Sequence, residues 1–252
     1  HDDMESSLSN FKRDYLIRVN RQTIEFLNGN DSLKSELFAN LLKKFDRIEL
    51  DIEYKNNDTK IRDAILSIPY NKLKIGLYID CYLSDDKKKI LQNNSIYSRV
   101  EFGPSIQVIQ GGLGAGLFEN SSTLESIQFS ESIERIEGGA FNNCGALKSV
   151  TFPSSLKEIK DGAFASCKEI SELRIPSTVN VICNNAFYQC GRITTLECDP
   201  NTTQFRENSL LGCPITHLIV RSSEKVITSL NLDISPQLTK ITFPETVTSI
   251  AP

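Results

Sequence analysis

A phenylalanine that returns every 23 residues constrains this chain more than any other feature. It stands at Phe118, Phe141, Phe164 and Phe187, and a cysteine keeps the same step at Cys144, Cys167, Cys190 and Cys213. Residues 124–144, 147–167 and 170–190 superimpose as one unit, L-x-x-I-x-F-P-x-S-V-x-x-I-x-x-x-A-F-x-x-C. Apolar residues alternate in its first segment, so they face one side of a short strand. A second apolar pair, Leu156 and Ile159 or Val179 and Ile182, marks another inward-facing segment on the far side of a coil. The Ala-Phe pair plugs the end of the coil, and the cysteine packs behind it. One such unit cannot bury these groups by itself, whereas stacked units bury them against each other.

The central strand position extends the ladder beyond the obvious repeats. Leu50, Ile75, Val100, Ile127, Val150, Leu173, Leu196, Leu218 and Ile241 follow one another at 22 to 27 residues. Two positions on come Ile52, Leu77, Phe102, Phe129, Phe152, Ile175, Cys198, Val220 and Phe243, also all apolar. The expected architecture is an α/β-type repeat solenoid of about nine rungs over 47–252. At ~4.8 Å between strands its parallel sheet would run about 40 Å. Rungs in 47–96 are degenerate: Ile61, Ala64, Ile65 and Ile68 share one helical face, so their returns are expected to be short helices. Leu33, Leu37, Leu41 and Phe45 form a similar face, and an earlier helix is expected across about 8–27. Residues 1–46 are therefore expected to be a helical N-terminal cap, the alternative being a small separate domain. Ile250-Ala251-Pro252 stops in mid-repeat, so the last rung is expected to be incomplete. Met4 is either the native start or an internal residue behind a removed leading segment.

Several chemistries fall away on residue counts. No run approaches the ~20 apolar residues that span a bilayer. With 28 basic and 32 acidic residues the net charge is −4, against the basic stripe a nucleic-acid binder needs. Lys87-Lys88-Lys89 follows Asp85-Asp86 directly and reads as a solvated helix face. No CxxC or Cys/His cluster suggests zinc, and no cofactor motif appears. Gly112-Leu113-Gly114-Ala115-Gly116 is expected to be a bulge within a repeat, because no helix or Gly-Lys-Ser/Thr follows it. The two histidines are His1 and His217. A Cys213–His217 dyad is set aside because Cys213 occupies the buried column. The column itself reads as buried thiols, with a disulfide ladder as the alternative. Sequons at Asn30, Asn57, Asn93, Asn120 and Asn201 matter only on a eukaryotic secretory route.

The unit closely resembles the BspA-like, or treponemal-type, class of leucine-rich repeats. The likeness rests on Phe152-Pro153-Ser154-Ser155 and Ala163-Phe164-Ala165-Ser166-Cys167 and covers about residues 97–250. It implies a right-handed superhelix, β-rich, with short helical or irregular convex segments. It also implies a secreted or cell-surface, non-enzymatic adhesion module of a bacterium or protist. The partner implied is a host matrix or cell-surface protein, met by a monomer without a cofactor. Two departures stand out: Cys198-Asp199-Pro200-Asn201 replaces the FP-x-S element, and Ser209-Leu210 replaces Ala-Phe.

Residues flanking the inward columns must face outward, and in leucine-rich repeats that face is the concave sheet. Arg99, Glu101, Gln128, Thr151, Glu172, Arg174, Glu197 and His217 are the candidate partner-binding residues. An intracellular scaffold on the same fold is an alternative, since unpaired cysteines suit a reducing compartment. A carbohydrate-active enzyme is a remote one, with Glu172 and Glu197 as its paired carboxylates.

Overall fold

The computed structural model describes residues 18–19, 48–53, 73–80, 97–111, 116–230 and 235–251. The chain forms two compact units, His1–Tyr78 and Ile79–Pro252. In the first, β1 (Arg18–Val19), β2 (Ile48–Glu53) and β3 (Leu73–Ile79) run parallel. Val19 is in register with Leu50, Leu50 with Ile75, and Ile52 with Leu77. The predicted central column is thus in step here. Arg18–Val19 is a strand inside the stretch expected to be a helical cap, whereas Leu33–Phe45 and 60–68 lie outside the described residues.

The second unit is a parallel-strand solenoid of about seven turns. Each regular turn holds two short strands. Those of the outer sheet are β4 (Tyr97–Phe102), β6 (Ser126–Gln128), β9 (Glu172–Arg174), β11 (Thr195–Cys198), β13 (His217–Val220) and β15 (Lys240–Thr242). Those of the second sheet are β5 (Val108–Ile109), β7 (Arg135–Ile136), β8 (Glu158–Ile159), β10 (Val181–Ile182) and β12 (Gln204–Phe205), with β14 (Val226–Ile227) and β16 (Ser249–Ile250) pairing further along. The register is that of the repeat. Val100 faces Ile127, and Leu173, Leu196, Leu218 and Ile241 align strand upon strand. Among the described residues there is no helix: the returns are turns and two-residue strands.

Rungs hold one another chiefly through phenylalanine. Phe118, Phe141, Phe164 and Phe187 are fully buried and stack at 5.7, 5.1 and 5.4 Å, with interplanar angles of 2°, 16° and 4°. A second stack, Phe102, Phe129 and Phe152, rises beside it at 6.0 and 6.1 Å. The two meet edge to face, as Phe152 does with Phe164 at 5.6 Å and 77°. Offset and edge-on rings put positive ring edges against negative faces, adding about 0.5–1.5 kcal/mol per pair to the burial term.

The turn that delivers each phenylalanine is hydrogen-bonded rung to rung: Phe141 N donates to Ala163 O, Phe164 N to Ala186 O and Phe187 N to Ser209 O, each at 2.8 Å. Ser209-Leu210 therefore keeps the ladder where Ala-Phe is lost. Two left-handed positions shape the turn. One column is Gly139, Gly162, Asn185 and Asn208, and the other Asn120, Asn143, Ser166, Gln189 and Gly212, all with φ between 55° and 85°. Glycine and asparagine dominate because other side chains crowd the backbone there. At Gly116 the reason is contact instead: a Cβ would lie 1.5 Å from Gly139 O.

The cysteine column has a polar task as well as a packing one. The thiols of Cys144, Cys167, Cys190 and Cys213 donate to the carbonyls of Phe118, Phe141, Phe164 and Phe187 on the preceding rungs, at 3.1–3.2 Å. All four are buried and free, as are the other described cysteines, Cys183 (half-buried) and Cys198, so the thiol reading holds there. Cys81 lies outside the described residues. Ser121 stands where the column has cysteine, 1% exposed, and its hydroxyl has no partner among the described residues. A buried hydroxyl without a partner costs about 1–3 kcal/mol.

Two consequences follow for stability. Phe164→Ala should lower unfolding free energy by about 3–5 kcal/mol in a urea titration. Ser121→Cys should raise it by about 1 kcal/mol. No gain from the second would mean that the Ser121 hydroxyl is satisfied in solution.

Candidate partner-binding face

Alternation along the strands settles which side chains reach the outer surface. In β9, Leu173 is buried between exposed Glu172 and Arg174, and in β6 Ile127 is buried between exposed Ser126 and Gln128. Seven of the eight candidates stand on strands. Arg99 and Glu101 lie half-buried on β4, Gln128 exposed on β6, Glu172 and Arg174 exposed on β9, and Glu197 and His217 half-buried on β11 and β13.

Pairing brings these into two groups. In the first, Glu101 is in register with Gln128, and Arg99 with Ser126. In the second, Arg174 is in register with Glu197, and both Glu172 and His217 with Thr195. Thr151, the eighth residue, is exposed but lies on no strand. The outer ladder, expected to be continuous, is interrupted at its rung. An open depression of about 340 Å³ occurs there, lined by Arg99, Ser126, Ile127, Gln128, Phe129, Glu131, Thr151, Phe152 and Pro153.

The charges on this face are matched locally. Arg174 Nη2 lies 3.3 Å from Glu172 Oε2, and Arg221 Nε lies 3.0 Å from Glu197 Oε1. The arginine side chains are 72% and 60% exposed, so each pair adds at most about 1 kcal/mol and remains available to a partner. Arg221 escaped the sequence reading because it follows its strand. Its signal was an opposite charge 24 residues after Glu197. His217 Nε2 bonds Thr242 Oγ1 on the next rung at 2.8 Å.

The two catalytic alternatives find little support in this arrangement. The Cys213 thiol is engaged with Phe187 O while the His217 ring is engaged with Thr242. Glu172 and Glu197 each sit against an arginine. Among the described residues no group of three His, Cys, Asp or Glu side chains is placed to hold a metal ion. No helix described is long and apolar enough to cross a membrane.

The Asp199 rung departs from the repeat for a local reason. Asp199 is buried, its carboxylate accepts Asn201 N at 3.0 Å, and its carbonyl accepts Thr202 N and Thr203 N. Asparagine 201, one of the sequons, is spent on the next rung: its Nδ2 donates to Val226 O and its Oδ1 accepts Thr228 N. The departure from FP-x-S is an Asx turn that closes the coil by other bonds.

Fold and face together define the class: a β-solenoid of short parallel strands, apolar inward and polar outward. Residues 112–232 match the family model of the BspA type leucine rich repeat region in six copies, and this stretch is a BspA-type leucine-rich repeat region. Among solved structures the chain is similar to a leucine rich repeat protein of T. pallidum, with 18% identity, 81% of this chain and 73% of that chain covered, and a TM-score of 0.45. A leucine-rich repeat protein of Bacteroides ovatus has 16% identity, 80% and 62% coverage, and a TM-score of 0.35. A leucine rich cell surface protein of Faecalibacterium prausnitzii has 15% identity, 78% of each chain covered, and a TM-score of 0.25. Comparison with curated proteins finds no match.

Burial raises the thiols of Cys167 and Cys198 to about 12 and pushes Cys144 up as well. Cys183 is raised too, chiefly by burial, but is only half-buried. A disulfide reagent at pH 8 should therefore modify Cys183 first among the described cysteines. The buried ones should react only as fast as the chain unfolds, by site-resolved mass spectrometry. Rapid native labelling of Cys144 or Cys167 would contradict the sealed stack.

Proposed function

We propose that this chain is a non-enzymatic protein-binding module, working as an adhesion-type surface outside the cell. Its partner would be a host matrix or cell-surface protein. The observation that carries this reading is the outer sheet: apolar side chains alternate inward, leaving polar and charged ones in register on a repeating lattice. Such a surface is fixed in advance by rung stacking, so little ordering cost falls on binding. Its charges are of both signs, and the eight candidate residues include no large aromatic anchor. Affinity would then come from many modest polar contacts, and electrostatics would act mainly on specificity and association rate.

One observation favours a second reading. Six described cysteines are free, and free thiols fit a reducing compartment, where the same face would serve an intracellular scaffold or regulator.

The test is capture from matrix, cell-surface and cytosolic fractions on the immobilised chain, with bound proteins identified by mass spectrometry. The triple variant Arg99→Ala, Arg174→Ala and Glu197→Gln should weaken capture of the identified protein by about tenfold or more. These positions are exposed or half-buried, so the melting temperature should stay within a few degrees. Unchanged capture by the triple variant would move the binding surface elsewhere. A partner found only in cytosol would favour the scaffold.

A further inference from the structure

Polar side chains around the depression on the outer face divide into two sets. Just outside it, hydroxyls are spent on the preceding rung: Thr123 Oγ1 donates to Tyr97 O, Ser130 Oγ to Gly103 O, Ser132 Oγ to Ile106 O and Ser155 Oγ to Ile133 O, at 2.7–3.0 Å. At the depression itself, the hydroxyls of Ser126 and Thr151 and the amide of Gln128 make no hydrogen bond among the described residues. Glu131 belongs to both sets. Its Oε2 accepts Ser154 N at 3.0 Å and Ser154 Oγ at 2.7 Å, whereas its Oε1 has no partner among the described residues. The next rung therefore holds this carboxylate in one orientation and leaves one oxygen to offer.

Charge sets this end of the face apart. Glu172 and Glu197 each face an arginine. Neither Glu131 nor Glu101, which is in register with Gln128, has an ion pair among the described residues. Arg99 lies toward the other end of the depression, in register with Ser126. The floor between is apolar: Phe129 is half-buried, and Phe152 and Pro153 are buried. The rings of Phe102, Phe129 and Phe152 cover one another's faces at 6.0 and 6.1 Å, so it is ring edge that reaches the depression. Ring edges carry positive potential and suit methylene groups better than a stacked sugar or a cationic head.

We propose that this depression takes one arginine side chain of a partner protein, its guanidinium on Glu131 and its methylenes on the ring edges. The proposal rests on the protein-binding reading and deepens it by naming the chemistry of one contact. The groups without a bond can all accept one: Glu131 Oε1, two hydroxyls and an amide oxygen. A guanidinium brings donors only, arranged in a fixed fork. A carboxylate already oriented by Ser154 needs no reordering on binding, so a charge-assisted bond keeps its strength. Glu101 adds negative charge nearby, and Arg99 opposes a second cation, so a single arginine is favoured over a basic run. The side chain enters end-on from the partner's surface, and the stack of rungs beneath stays closed. A volume of about 340 Å³ lies at the low end of the about 300–1,000 Å³ of ligand sites and suits one long side chain rather than a cofactor.

The experiment is an NMR titration of the full chain with a capped Gly-Ser-Arg-Ser-Gly peptide and with its lysine and citrulline counterparts. The arginine peptide should give saturable, millimolar binding, with shifts centred on Gln128, Phe129, Thr151 and Ser154. Citrulline, the uncharged isostere, should bind about tenfold more weakly, and lysine several-fold more weakly because it lacks the fork. Glu131→Gln keeps an acceptor for Ser154 but removes the charge, and should weaken the arginine peptide about tenfold. Glu207→Gln makes the same change at an exposed position off this face and should leave binding as it was. Absence of a saturable shift would overturn the proposal. So would shifts centred elsewhere, equal binding of the citrulline or lysine peptide, or indifference to Glu131→Gln. If Glu131→Gln leaves capture of the whole partner intact while the triple charge variant abolishes it, the wider reading stands and only this site fails.

Discussion

Contact between one rung and the next is the interaction on which everything else in the solenoid depends. Each coil of about 23 residues is too short to enclose a core, so its phenylalanine is buried only when another lies above or below it. The two phenylalanine stacks, meeting edge to face, do this over Phe102–Phe187, and the turn ladder and the Cys-to-Phe carbonyl bonds fix the register. Stability in such an array is a sum of rung and nearest-neighbour terms. The outer face inherits its geometry from that sum, because Glu172, Arg174 and Glu197 stand where Leu173 and Leu196 place them.

A repeat is legible in sequence to the extent that burial enforces it. The columns of Val100, Ile127, Leu173 and Leu196, the turn phenylalanines and the cysteines all sit at zero or low exposure, and each was readable as a period. Outward residues obey no such rule, yet they alternate with inward ones, so seven of the eight candidate positions fell on strands. The left-handed columns were present in the letters as Gly139, Gly162, Asn185 and Asn208. They stayed hidden because a backbone angle, rather than hydrophobicity, selects them. Arg221 was missed because it lies past the end of its strand, where alternation no longer assigns a direction.

The interruption at Val150 was the least legible feature. Ser-Val-Thr-Phe is as good a strand former as any in the chain, with β-branched residues at 150 and 151. Propensity describes how a segment fits a pleated surface, whereas a ladder needs both neighbours at hydrogen-bonding distance. At this rung the second sheet, the turn and the phenylalanine stacks are satisfied without the outer bonds. The segment is held in place by its buried side chains, Val150 and Phe152. A solenoid can thus combine a regular, charge-matched face with one local irregularity.

The most direct test of rung-to-rung stacking is a double-mutant cycle on the turn phenylalanines, followed by urea unfolding. Phe141→Leu and Phe164→Leu, on adjacent rungs, should show a coupling of about 0.5–1.5 kcal/mol. Phe118→Leu and Phe187→Leu, three rungs apart, should add within about 0.5 kcal/mol. Equal coupling in both pairs, or none between Phe141 and Phe164, would contradict a core built from neighbour upon neighbour.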